Sequence, residues 1–578
     1  MRIAVGVTCL SILLALGACE RESVTEAPSA QDWPAFVQGF VDDWFDAHPM
    51  MGFAAGRKEY AGRFPDWSAA GLAAEISRLK SVASEARAFD VQALTEAQRF
   101  EREYLLAVVD RNLFWLERAE WPRRNPTFYF DWNLDFLSPD PYLTKPYAPP
   151  EARLRDFTSW LANVPAATAQ IQANLRTPMP RTWIDQGVAS FGGMVPFLRD
   201  DAPRVFAAVK DEALQKAYAD ASAKAIAAFK TLADWLQAQR ATQTEDYAIG
   251  AELFAAMLKE TEGVDVPLDR LLEAGQADLA RNLAALDEAC KEFAPGRDRK
   301  GCMEKMNANR PDGGAVEGAR KQLDVLRAFV VEHKIASIPS DDPIRVDQAP
   351  PYQATNFAYI NPAGPYDTGM PSTYYIAPPD PSWPKAEQDA YTPGIADLMS
   401  TSVHEVWPGH FLHSLHSNRS ASLIGRLFLS YAFTEGWAHY AEEMMWEAGL
   451  TGELAGGRAE YRVGQLNKAL YRNVRYLCAI GMHTRGMKVA ECERMFREEA
   501  FQDPGNARQQ AARGTYDPGY LNYTLGKLMI RKLRDDWTAT RGGPDSWGRF
   551  HDTILSFGGP PVPMAREAML GEAAGPAL

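Results

Sequence analysis

The sequence has no excess of positive charge, and this excludes one class of partner. Its 578 residues include 61 Lys and Arg against 75 Asp and Glu, a formal net charge of −14 at pH 7. A nucleic-acid surface needs clustered Lys and Arg to neutralise phosphates, and the charges here form no long run of one sign. We therefore expect no nucleic-acid partner.

Several catalytic fingerprints are also missing from the sequence. There is no G-x-S-x-G nucleophile elbow, so Ser/His/Asp catalysis has no support. There is no Walker loop and no Rossmann fingerprint, which gives no reason to expect a bound nucleotide. Internal repeats and low-complexity tracts are absent as well.

Long apolar runs are absent beyond the N-terminus. Residues 1–18 contain a mostly apolar stretch that ends at small residues, which is typical of a signal peptide. The following Cys19 completes a Leu-Gly-Ala-Cys sequence that resembles the lipobox of bacterial lipoproteins, in which this cysteine is acylated after cleavage. An ordinary secretory signal cleaved nearby is the alternative. We expect a lipidated tether over 19–33, a single helical domain over 34–578, and membrane attachment through the lipid, since no later segment reaches 18 apolar residues.

Cysteine is scarce, with six in the chain. Cys9 lies in the predicted signal peptide and Cys19 is the predicted lipid site. An even number of remaining cysteines in an oxidising compartment predicts two disulfides. Three pairings are possible, of which the local one closes short loops, and buried free thiols are the alternative. The remaining cysteines are Cys290, Cys302, Cys478 and Cys492.

Apolar residues recur at three- and four-residue spacing through most of the chain, which predicts a mainly α-helical fold. Residues 127–150 are rich in aromatic residues and proline and are expected to form a long packed loop. The predicted helices include 92–117, 202–236, 267–293 and 316–333.

The helical pattern stops between residues 337 and 393, where twelve prolines occur. Short β-prone runs stand between these prolines, and the clearest is Ser372 to Ala377. We predict a small β element here, just upstream of the metal-site residues described next. A strand over Tyr374 to Ala377 would border a cleft, where Tyr374 and Tyr375 would contact an extended substrate through free backbone groups.

Histidine is also scarce, yet four of the nine histidines lie between positions 404 and 416. A divalent metal held by imidazole and carboxylate explains this density. Pro408 stands where the second histidine of an HExxH motif belongs. In an unbroken helix, His404 and His410 lie about 240° apart around the axis and share no face. They can share a metal only if the helix is broken, and the Pro408-Gly409 pair supplies the break.

The run His404-Glu405-x-x-Pro-Gly-His410, followed by Glu435-Gly-Trp-Ala-x-Tyr-Ala-Glu442, resembles the bacterial family catalogued as domain of unknown function eight-eight-five. That family resembles gluzincin metallopeptidases, which are mainly helical with an interior cleft. The resemblance implies that His404, His410 and Glu435 bind one zinc ion per chain and that Glu405 is the general base. The sequence departs from the family pattern at His413 and His439, and either of these could compete as a ligand.

Further residues have predicted supporting roles. Glu435, His439 and Glu442 share one helix face, so Glu442 can hydrogen-bond a ligand histidine. We favour Tyr523 over Tyr520 as the donor to a developing oxyanion, with a core aromatic as the alternative. Three further residues are candidates for substrate binding, and an arginine among them can hold a substrate carboxylate with two hydrogen bonds unless it forms a structural salt bridge. These three are Arg475, His483 and Tyr520.

Together these observations predict an exported zinc hydrolase on the periplasmic side of a bacterial membrane. Glu405 would take a proton from a metal-activated water and pass it to the leaving group. Peptides are the substrates that the gluzincin likeness implies, and esters or lactones suit the same machinery. The rival interpretation is a metal- or peptide-binding lipoprotein without turnover. The sequence does not determine the oligomeric state.

Overall fold

Helices make up most of the described chain, which in this computed structural model comprises residues 28–130, 136–350, 357–450, 456–571 and 574–578. The predicted signal peptide and Cys19 lie outside the described residues. The first described helix begins at Trp33, a buried residue one position before the predicted domain boundary. None of the described helices is both long enough and apolar enough to cross a bilayer.

Fourteen helices precede the sheet within the described residues. Their bounds are α1 Trp33–Ala47, α2 Pro49–Ala54, α3 Ala69–Ala88, α4 Glu96–Leu113, α5 Trp121–Arg124, α6 Asp140–Thr144, α7 Pro150–Asn174, α8 Arg181–Pro196, α9 Ala202–Val205, α10 Glu212–Ala238, α11 Ala251–Glu262, α12 Leu268–Phe293, α13 Arg299–Ala308 and α14 Gly314–Glu332.

Local capping sets the ends of several of these helices. The predicted helix over 92–117 begins at Glu96, because Thr95 and Gln98 form a capping box there. The prediction of one helix over 202–236 is wrong: α9 ends at Val205, and α10 starts after Asp211, whose side chain accepts a hydrogen bond from the backbone N–H of Leu214. The apolar spacing continues through this break and therefore conceals it. The predicted helices over 267–293 and 316–333 are confirmed as α12 and α14.

The predicted loop over 127–150 is not wholly irregular. It contains a 3₁₀ turn at Pro126–Phe130 and the short helix α6. Residues 131–135 of this segment are outside the described residues.

A three-stranded sheet follows α14, with strands β1 Ile344–Gln348, β2 Ala358–Asn361 and β3 Ser372–Ile376. The strand order is β1-β3-β2, so β3 is central, parallel to β1 and antiparallel to β2. The prediction of a strand at this position is confirmed, but its proposed contact with substrate is wrong. The backbone of β3 pairs with strands on both sides, and Tyr374 and Tyr375 are buried at 0% and 5% exposure. Among the described strands, β1 and β2 are the two edges of the sheet.

Eleven more α-helices follow the sheet among the described residues. Their bounds are α15 Lys385–Tyr391, α16 Ile395–Glu405, α17 His410–Ser417, α18 Leu423–Leu427, α19 Tyr431–Glu447, α20 Arg458–Thr484, α21 Val489–Glu498, α22 Pro504–Tyr516, α23 Asn522–Thr538, α24 Trp547–Ser556 and α25 Val562–Leu570. The mainly α-helical fold with a small β element upstream of α16 is thus confirmed.

Two disulfides join elements that are close in the chain. Cys290 at the end of α12 bonds to Cys302 in α13, and Cys478 in α20 bonds to Cys492 in α21. This is the local pairing among the three that the sequence allowed.

Candidate metal centre

The two candidate histidine ligands lie on either side of a helix break. Helix α16 ends at Glu405 and α17 begins at His410. Gly409 makes the turn possible, because a Cβ atom at this position would lie 1.7 Å from the carbonyl oxygen of His404. The break brings the two imidazole rings edge to face, with centroids 4.7 Å apart. The Pro-Gly pair therefore has the geometric effect expected from the sequence.

Helix α19 supplies the third candidate ligand, Glu435. The helix starts where the Ser430 side chain accepts a hydrogen bond from the backbone N–H of Phe433. The indole N–H of Trp437 donates to the carbonyl of Pro408 at 2.9 Å, which ties α19 to the turn between α16 and α17. A Cβ atom on Gly436 would lie 2.4 Å from the Cα of Gly526, so these glycines let α19 and α23 cross closely.

The donor atoms of His404, His410 and Glu435 all lie within 4.8 Å of one another. The Oε2 atom of Glu435 lies 3.3 Å from Nε2 of each histidine, yet it is buried without a hydrogen bond to any described residue. Tetrahedral zinc with bonds of about 2.0–2.1 Å separates its ligand atoms by roughly 3.3 Å. The carboxylate and each histidine therefore have the spacing of two zinc ligands, and a cation at their centre would satisfy the buried oxygen.

Glu442 fixes the orientation of the His404 ring. The Nδ1–H group of His404 donates to Oε1 of Glu442 at 2.7 Å, which leaves Nε2 directed at the centre. Arg472 in α20 forms an ion pair with the same carboxylate at 3.1 Å. Glu442 is fully buried, and its pKa is lowered because Arg472 and the neighbouring histidines outweigh the effect of burial. The carboxylate is therefore ionised and acts as an acceptor for His404.

Glu405 lies beside these donors in a nearly dry position. Its side chain lines a large cavity that the three candidate ligands also border, although the residue is only 7% exposed. Burial raises its pKa to about 7, with Glu435 contributing in the same direction and His410 opposing. A carboxyl group whose pKa lies near neutrality can both take and return a proton.

Tyr523 lies near the candidate ligands, at the start of α23. Its ring is nearly parallel to that of His404, with centroids 6.3 Å apart. Burial raises the pKa of the phenol, so its O–H group stays protonated at neutral pH. The side chain lines the cavity and can donate a hydrogen bond into it.

A cavity of about 1860 Å³ connects these side chains. The edge strand β2 and the segment after it, up to Pro365, form one wall. This volume exceeds the 300–1,000 Å³ that is usual for small-molecule pockets.

Some predicted residues do not reach the cavity. His483 is held by Ile249 and by the carbonyl of Gly514 at 2.7 Å, so both of its nitrogens contact the backbone. The Tyr520 hydroxyl points toward the Cys492 sulfur at 3.8 Å. Neither His483 nor Tyr520 lines the cavity. Their proposed substrate contacts, like those of Tyr374 and Tyr375, are therefore wrong. His483 contacts residues 234 and 31 positions away, and Tyr520 contacts one 28 positions away, so local spacing in the sequence did not reveal these partners.

The histidines at the two departures from the family pattern are not among the converging donors. His413 Nε2 donates to the carbonyl of Gly558 at 2.8 Å. His439 is fully buried, with Nδ1 3.4 Å from Oε2 of Glu442. His416 Nε2 contacts the carbonyl of Ser337 at 2.9 Å. These three side chains pack around the site rather than inside it.

The sequence interpretation gave no role to Arg513 and Tyr431, which also line the cavity. Arg513 forms an ion pair with Asp517 at 2.9 Å and donates to the Tyr431 hydroxyl at 3.0 Å. The four-residue spacing of Arg513 and Asp517 in the sequence was the available signal.

The model of a family described as "Bacterial protein of unknown function (DUF885)" matches residues 49–569. The chain belongs to this family. No curated protein matches it.

Two solved structures share the fold of this DUF885 protein. A "putative lipoprotein of unknown function" from Shewanella oneidensis is 22% identical, with a TM-score of 0.74 over 93% of this chain and 99% of its own. A "putative lipoprotein" from Colwellia psychrerythraea is 16% identical, with a TM-score of 0.74 over 93% and 98%.

Proposed function

We propose that this DUF885 protein is an exported zinc-dependent hydrolase, and specifically a metallopeptidase for short peptides. The observation that carries the proposal is the convergence of His404, His410 and Glu435 beside Glu405. The spacing of these donors suits zinc, and the unsatisfied Glu435 oxygen marks where a cation would bind.

The residues around this centre have complementary chemical roles. Zinc bound there would supply a Lewis acid and lower the pKa of a water molecule. Glu405 takes a proton from the attacking water and delivers it to the leaving amine. The Tyr523 phenol donates a hydrogen bond to the carbonyl oxygen as it gains negative charge. Glu442 keeps His404 in the required tautomer.

The cavity favours an extended peptide as the substrate. Strand β2 is an edge strand, and its residues line the cavity. Such an edge can pair with the backbone of a substrate. A cavity of about 1860 Å³ would admit a short peptide. Esters or lactones remain the second candidate, because the same groups would cleave them.

A lipid anchor is part of the proposal. Two solved structures with this fold are each described as a "putative lipoprotein", and Leu-Gly-Ala-Cys19 resembles a lipobox. We propose that Cys19 is acylated and holds the enzyme on the periplasmic side of a membrane.

The test is to incubate purified protein with a peptide library before and after chelation, and after zinc is restored. We expect cleavage that is lost on chelation and recovered with zinc. Glu405→Gln should retain zinc and the fold but lower turnover at least ~100-fold, the usual contribution of a positioned base. Glu498→Gln is the matched control, because Glu498 lines the cavity but is exposed.

Near-normal turnover in Glu405→Gln would show that this residue is not the base. Zinc binding by the wild-type protein without cleavage of any peptide would favour the rival interpretation, a binding lipoprotein.

A further inference from the structure

Three arginines surround the ring of Tyr523 in the cavity wall. The guanidinium carbons of Arg472, Arg475 and Arg513 lie 5.5, 4.8 and 5.9 Å from the ring centroid. All three side chains line the cavity. Three guanidinium groups therefore lie close together around Tyr523.

Arg475 differs from the other two in its partners. Arg472 pairs with Glu442 at 3.1 Å, and Arg513 pairs with Asp517 at 2.9 Å. Arg475 instead donates from Nε to the neutral amide oxygen of Gln510 at 2.9 Å. Within the described part of the chain, it forms no ion pair with a carboxylate.

A buried charge without a counter-charge is costly, and proteins accept it where a ligand supplies the partner. Arg475 is only 6% exposed. Its guanidinium is held between the rings of Tyr471 and Tyr523, at 4.5 and 4.8 Å from their centroids. Because these rings and Gln510 fix its orientation, little side-chain freedom is lost when an anion binds.

We infer that Arg475 binds a carboxylate of the substrate, and that this group is the C-terminal carboxylate of the peptide. Arg475 lies 4.8 Å from the Tyr523 ring, which lies 6.3 Å from the His404 ring. The Arg475 guanidinium therefore lies at most roughly 11 Å from the His404 ring, a distance that about three extended residues span. The enzyme would release fragments of one to three residues from the C-terminus. This inference rests on the proposed peptidase function.

The first test compares three forms of one cleavable peptide on the wild-type enzyme. One has a free C-terminus, the second is amidated, and the third is amidated but carries Glu as its last residue. We expect kcat/KM to fall about 10- to 100-fold on amidation, the usual effect of losing a hydrogen bond to a charged group. Mass spectrometry should place the cut within three residues of the free C-terminus.

The outcomes separate the two hypotheses. Equal cleavage of all three peptides would overturn the carboxylate site but leave the peptidase intact. If the terminal Glu restores cleavage of the amidated peptide, the carboxylate site is kept, but the carboxylate that it binds belongs to a side chain. If no peptide of the library is cleaved, the proposed function itself is contradicted.

Variants provide the second test. Arg475→Gln should raise KM for the free-acid peptide at least 10-fold, with kcat changed less than about threefold, and should leave the amidated peptide unaffected. Arg475→Lys should recover part of the loss, since it keeps the charge without the planar fork. Arg497→Gln is the control, because Arg497 lines the cavity and is exposed. An equal effect on both peptides would show that Arg475 has a structural role only.

Discussion

Replacing Glu442 by Gln tests the proposed metal centre without touching a ligand. The Glu442 carboxylate accepts a hydrogen bond of 2.7 Å from Nδ1 of His404, and it is fully buried, so water cannot take its place. Glutamine keeps the shape of the side chain but removes the charge that polarises the imidazole and fixes its tautomer. We therefore expect His404 to become a weaker zinc ligand.

The size of the effect follows from this single contact. Loss of a carboxylate behind a ligand histidine typically costs about 10- to 100-fold in metal affinity, which corresponds to roughly 1.4–2.7 kcal/mol. The assay is a competition titration in which the metal-free protein and a chromophoric chelator compete for zinc. Circular dichroism would verify that the variant is folded at the temperature of the titration.

Glu443→Gln is the matched control. Glu443 is the next residue of α19, is also buried, and pairs with Arg281 and Arg531. Both substitutions break a buried ion pair and should lower stability, but only Glu442→Gln should weaken zinc binding. Unchanged zinc affinity in folded Glu442→Gln, or an equal loss in Glu443→Gln, would refute this account of the site.

Three further predictions concern other parts of the protein. Tyr523→Phe should lower kcat about 100-fold with zinc content unchanged, whereas Tyr520→Phe, which alters a hydroxyl outside the cavity, should leave turnover normal; equal losses would remove the oxyanion role. His551 is buried between the Ile335 carbonyl and the Tyr440 hydroxyl, and burial lowers its pKa from 6.5 to about 3. As the pH falls, His551 is therefore protonated in the unfolded chain before it is protonated in the folded protein. The free energy of unfolding should be roughly 1.4 kcal/mol lower at pH 5.5 than well above pH 6.5. Denaturant titrations of His551→Asn should show a shallower dependence on pH, and an unchanged slope would contradict this reasoning. Cys19→Ser should move the protein from the membrane fraction to a soluble exported one, and a wild-type protein already found soluble would exclude the anchor.

Much of the candidate site could be predicted from the sequence because its signals are local. The Pro408-Gly409 pair predicts a helix break between two histidines, and the structure brings His404 and His410 together across it. The spacing of Glu435 and Glu442 puts them on one helix face. The even number of cysteines left after Cys9 and Cys19 predicted two disulfides without deciding among three pairings, and the structure contains two, in the local pairing.

Predictions that depended on long-range pairing failed. The strand with the best β pattern, Ser372–Ile376, is the central one, so the cavity is bordered by the weaker segment Ala358–Asn361. His483 and Tyr520 stand in a polar run of sequence but point into the protein. The order of strands and the direction of a side chain depend on residues far along the chain, which periodicity does not report.

The sequence by itself determined the helical class, the helix break and the chemical identity of the candidate ligands, because each depends on residues within a few turns of one another. Only the tertiary structure decided which side chains meet. The carboxylate behind His404 comes from Glu442, 38 positions along the chain. The tight crossing at Gly436 and Gly526 brings α23, with Tyr523 near its start, against α19. Arg475 is buried on the cavity wall against a neutral partner. Such contacts arise from the packing of helices that are distant in sequence, and packing depends on the shapes of whole surfaces rather than on local spacing.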